Sequence, residues 1–83
     1  MQLLLNPSLY APYYQVTPGD FVKLAFSNEV GVENMWVRVI AACVSTNIYA
    51  GRLDNSPFII DLEIGAGVIF RKEHVYCIMG RGK

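Results

Sequence analysis

Residues 35 to 43 read Met-Trp-Val-Arg-Val-Ile-Ala-Ala-Cys, and they constrain the fold more than any other stretch. Met35, Val37, Val39 and Ala41 alternate with Trp36, Arg38 and Ile40. A period of two marks a strand with one buried face. The first set is apolar and is expected to face a core. The second joins an indole, a guanidinium and an aliphatic group, which suits the outward face of an antiparallel strand. No window of the chain shows sustained helical periodicity.

Around this strand the chain is punctuated by turns. Thr17-Pro18-Gly19-Asp20 is a turn, because proline presets one dihedral and glycine accepts positive φ. Residues 21–26 follow as a strand with Val22, Leu24 and Phe26 on one face. Residues 27–34 form a loop that turns at Asn28 and Gly31. After 35–43 comes a hairpin connection at 44–47, a returning strand at 48–53 and a turn at 54–57. Residues 58–60 read as a short strand behind Pro57. Leu62 to Gly67 is a glycine turn feeding a strand at 68–70. Residues 71–74 are a polar bend, and 75–79 a last short strand. Short strands with turn chemistry between them indicate an all-β fold. At 83 residues the economical answer is a small SH3-like open barrel of five or six short antiparallel strands with an irregular N-terminal arm. Val22, Leu24, Met35, Val37, Val39, Leu53, Val68 and Phe70 should be buried.

Residues 1–16 form the arm, 17–79 the barrel and 80–83 a flexible basic tail. Asn6 and Pro7 are placed to cap a single helical turn. Tyr10, Tyr13 and Tyr14 either pack over an open end of the core or form an aromatic wall for a ligand or partner.

The chain is 53% hydrophobic and only 17% charged. So small a domain cannot hide all of that apolar surface, and a homo-oligomer is expected. Seven basic residues cancel seven acidic ones, so the positive field that drives duplex nucleic-acid binding is missing. A small anion needs only one or two cations and stays open. No apolar run reaches the roughly 20 residues of a membrane span. The first five residues lack a basic flank, so a cytoplasmic protein is expected. Cys43 and Cys77 read as two buried reduced thiols. With one histidine, His74, neither a metal site nor a cofactor is expected.

The run Pro18 to Leu24, then Met35-Trp36-Val37, then Gly51-Arg52-Leu53-Asp54-Asn55-Ser56-Pro57, then Glu73-His74-Val75 resembles the bacterial YegJ-like small domain family. The resemblance covers roughly residues 17 to 76. It implies a small, mostly β domain and brings no assigned reaction. A stand-alone domain of this size is also similar to the small phage proteins that bind host defence signals.

Catalysis lacks its parts. His74 sits at a polar bend, Asp54 and Asp61 read as turn formers, and no phosphate-binding loop is present. Binding has better support. Trp36 offers a stacking platform, Arg38 and Arg52 planar forks for phosphate or carboxylate, and Asp54 and Asn55 acceptors and an amide. With Tyr13 and Tyr14 as a lid, these residues suit a nucleotide-like or anionic ligand. Each also has a structural reading: Trp36 covers the core, the arginines pair with acids, and Asp54-Asn55 closes a turn. The expectation is a non-enzymatic binding module. The alternative is a protein–protein inhibitor or immunity-type module.

Overall fold

A computed structural model describes residues 4–8 and 15–79. The strands are β1 (Leu4–Asn6), β2 (Phe21–Ser27), β3 (Val32–Cys43), β4 (Ile48–Leu53), β5 (Gly67–Arg71) and β6 (Cys77–Ile78). A 3-10 turn, Lys72–His74, separates the last two. All pairings are antiparallel. The sheet runs β1-β2-β3-β4-β5, and β6 returns to β2. The fold is therefore all-β, a curled, open half-barrel consistent with a small SH3-like barrel.

The core sits in the concavity. All eight residues assigned to it by alternation are buried, and Phe26, Val16, Tyr49, Ile60, Val75 and Ile78 join them. Tyr49 stacks on Phe70 with ring centroids 5.5 Å apart. The turns match their residue chemistry. Gly19 has φ +96°, and the Thr17 carbonyl accepts the Asp20 N–H at 3.0 Å. Asp20 Oδ2 in turn accepts the Thr17 N–H at 2.8 Å. At the other reversal, Asn28 Oδ1 accepts the N–H groups of Val30 and Gly31. The chain thus turns within residues 28–31, and β3 starts three residues earlier than expected.

Four expectations are corrected. Asn6 does not cap a helical turn. It ends β1, which lies along β2 with Leu5 opposite Phe26, and its Oδ1 accepts the Ser27 hydroxyl at 3.0 Å. An open strand edge beside Leu4 and Leu5 favours pairing over an irregular arm.

Residues 58–60 are not a strand. The Glu33 carboxylate accepts the N–H groups of Phe58, Ile59 and Ile60 at 2.7, 3.0 and 3.2 Å, which occupies the donors a ladder would need.

Ala41 faces outward rather than into the core. Val39 pairs with Gly51 and Ala41 with Ala50, leaving Ile40 as an extra residue on β3. Such a bulge reverses the alternation beyond it, and Ala42 packs against the core instead.

Cys43 and Cys77 are both exposed free thiols. Cys43 lies beyond the bulge, and Cys77 sits opposite Lys23 on the outer side of β2.

The bulge also explains Gly51. A Cβ there would lie 2.6 Å from both the Arg38 carbonyl oxygen and Val37 Cγ1. Only glycine allows the two strands to approach that closely. Among the described residues, no helix is long and apolar enough to cross a membrane.

Candidate functional site

The outer face of the sheet brings Lys23, Trp36, Arg38 and Arg52 together. Residues directly opposite on antiparallel strands share a face. Lys23 stands opposite Trp36, and Arg38 stands opposite Arg52. Trp36 is half-buried, while Arg38 and Arg52 are exposed. Lys23 Nζ lies 5.1 Å from the Trp36 ring centroid. The ammonium therefore covers part of the indole and leaves less of it for stacking by a ligand.

The two arginines are in direct cross-strand register, an arrangement that costs free energy for like charges. Arg52 Nη1 donates to the Gly65 carbonyl at 3.1 Å. Arg38 thus presents its fork to solvent, and Arg52 the part of its fork not given to Gly65. The bulge lies on the turn side of this pair, so it leaves their shared face intact.

Asp54 and Asn55 serve the backbone. The Asp54 N–H donates to the Trp36 carbonyl at 2.9 Å. The Trp36 N–H donates to Asn55 Oδ1. Together they carry the β3–β4 pairing past the end of β4, with a side chain replacing a strand residue. The Asn55 carbonyl is thereby engaged, and Asp54 remains exposed. Tyr10, Tyr13 and Tyr14 lie outside the described residues.

Beside Arg52 runs a shallow groove of about 440 Å³, lined by Ile40, Ala50, Gly51, Gly67, Val68 and Ile69. Ile40 and Ile69 are 44% and 68% exposed, so the groove has an apolar floor open to solvent. The sequence reading missed this shelf. Alternation places Ile69 outward between Val68 and Phe70 and Ile40 outward after Arg38, but only the pairing of β4 with β3 and β5 brings the two to one groove.

The remaining reactive groups are engaged locally. His74 Nδ1 accepts the Arg71 N–H at 2.9 Å and closes the 3-10 turn. Side-chain hydrogen bonding from Thr46, then Ser45, holds the Cys43 thiol below its ordinary pKa. Among the described residues, no three His, Cys, Asp or Glu side chains could hold a metal ion.

A second exposed feature stands apart from the arginines. Phe58 is 97% exposed on the loop held by Glu33. No protein-family model matches the chain, and no curated protein or solved structure matches it.

Proposed function

We propose that this protein is a non-enzymatic binding module that takes a small anionic, nucleotide-like ligand on the face formed by Arg38 and Arg52. The direct cross-strand register of these two exposed arginines carries the reading. A phosphate or carboxylate bridging two guanidiniums would relieve their repulsion and accept paired hydrogen bonds. The adjoining groove offers an apolar bed for the rest of such a ligand. The reading is non-enzymatic because the one histidine is committed to a backbone cap. It is compatible with the resemblance to the YegJ-like family, with a cytoplasmic setting and with a sequestering role of the phage anti-defence kind.

Thermal melting with a panel of nucleotides and inorganic phosphate tests it. A true ligand at about 100 times its Kd should stabilise the fold by roughly 2.7 kcal/mol. Arg38→Ala and Arg52→Ala should each abolish that shift. Their own melting temperatures should stay within a few degrees of wild type, because exposed charges contribute little to stability. A panel in which nothing binds, or binding that survives both substitutions, overturns the reading.

The near-complete exposure of Phe58 favours a second reading, a protein–protein module of the inhibitor or immunity type. An aromatic ring held out by an ordered loop is the usual anchor of such a surface.

A further inference from the structure

The loop around Phe58 is fixed while its ring is free. The Glu33 carboxylate takes three consecutive N–H groups from Phe58 to Ile60. Asn28 Nδ2 donates to the Ile59 carbonyl at 3.1 Å. The Ile59 side chain lies against Gly31, where an added Cβ would sit 3.3 Å from Ile59 Cδ1. The backbone on both sides of the ring is therefore anchored to the β2–β3 turn, yet the ring itself stands 97% exposed. An apolar ring presented on a fixed support is preorganised for docking.

The same chain carries a receptor of fitting size and character. The groove beside Arg52 has an apolar floor of Ile40, Ala50 and Ile69 and a volume of about 440 Å³. That open shelf is wide enough to take one face of a benzyl group. The charges are complementary as well. Between Leu53 and Phe70 the chain bears Asp54, Asp61 and Glu63 and no lysine or arginine. The groove is walled by Arg52, with Arg38 in register beside it.

We propose that Phe58 of one copy seats in the Ile40–Ala50–Ile69 groove of a second copy, with the acidic loop lying against the arginines at its rim. The contact goes beyond the ligand reading and stands chiefly on Phe58 and Ile69. Arg52 and the groove are common to both, and Phe58 belongs to this contact alone, so the test uses neither nucleotide nor an arginine variant.

The test is sedimentation of the full chain at low salt over a wide concentration range. Wild type should associate beyond its 9.3 kDa monomer, and added salt should weaken the association. Phe58→Ala and Ile69→Arg should each weaken it roughly thirtyfold or more, as loss of an anchoring aromatic does. Both should melt close to wild type, because both side chains are exposed. Mixing the two variants should restore a two-chain species, since one keeps the ring and the other keeps the groove. A wild-type monomer at the highest concentration overturns the proposal. So does association unchanged by Phe58→Ala, or a mixture that stays monomeric.

Discussion

The Glu33 carboxylate accepts the Ile59 N–H at 3.0 Å, and with it the N–H groups of Phe58 and Ile60. One side chain on β3 thus replaces a whole strand pairing and converts residues 58–60 into an anchored loop. The Ile59 N–H is the largest cause holding the Glu33 carboxyl below its ordinary pKa. Those of Phe58 and Ile60 add to it, against an opposing desolvation.

Because that pKa is lower in the folded than in the unfolded chain, the ionised form stabilises the fold. Its contribution is complete above the ordinary glutamate pKa of about 4.3 and is lost as pH falls through the lower folded value. Glu33→Gln should therefore melt below wild type at neutral pH, and the gap should close in acid. Amide exchange at Phe58 to Ile60 should rise in the variant at neutral pH. A gap that persists unchanged in acid would show that ionisation is not the cause.

Gly51→Ala should destabilise strongly. The new methyl would meet the Arg38 carbonyl oxygen and Val37 at 2.6 Å, and overpacking of this kind costs about 1–3 kcal/mol. For a domain of this size each kcal/mol lowers Tm by about 4–8 °C. Gly67→Ala is the control, since nothing lies within 4 Å of a Cβ there. Equal melting of the two variants would contradict the close approach of the strands.

Leu24→Ala removes a side chain with no exposed surface. Such truncations cost about 2–5 kcal/mol, a large part of the stability of a small domain. The variant should unfold at a much lower denaturant midpoint, or fail to fold. A midpoint close to wild type would contradict its place in the core.

Arg52→Glu should act in opposite directions on stability and binding. It replaces a like-charged cross-strand pair with an attractive one, worth roughly 0.2–1 kcal/mol. Melting temperature should hold or rise slightly, while any anion affinity at this face disappears. A variant that loses both would mean that Arg52 is structural, through its bond to the Gly65 carbonyl.

Much of this fold was legible because alternation and turn chemistry are local. Val22, Leu24, Met35, Val37 and Val39 follow from period two alone, and all are buried. Tyr49 could have been found by the same rule, counting back from Leu53 through Gly51. What escaped was non-local. Nothing near Glu33 in sequence announces that its carboxylate will reach residues 58–60. The bulge at Ile40 depends on the pairing of β3 with β4, so the outward turn of Ala41 could not be read from β3 alone. At the site, counting across the hairpin brings Arg52 near Trp36 and Arg38 but leaves its face open, because one bulge reverses it; only the pairing of β3 with β4 sets Arg38 opposite Arg52. The use of Asn55 as a backbone clasp was not legible either, because an Asx side chain can serve its own turn or a distant strand equally well.

β1 and β6 lie end to end along the same edge of β2, opposite Ala25 to Ser27 and Val22 to Lys23 respectively. Cross-links reinforce this seam: the Ser8 N–H donates to the Glu73 carbonyl at 2.7 Å, and the Tyr76 hydroxyl to the Pro7 carbonyl at 3.2 Å, 69 positions away. The β2–β5 meander is assembled from hairpins between neighbours in sequence, whereas the seam needs nearly the whole chain to be looped. Loop-closure entropy makes such contacts slow to form. The order of assembly follows. The meander is expected to condense first and the seam to fasten last, so hydrogen exchange at β6 should outpace that at β3.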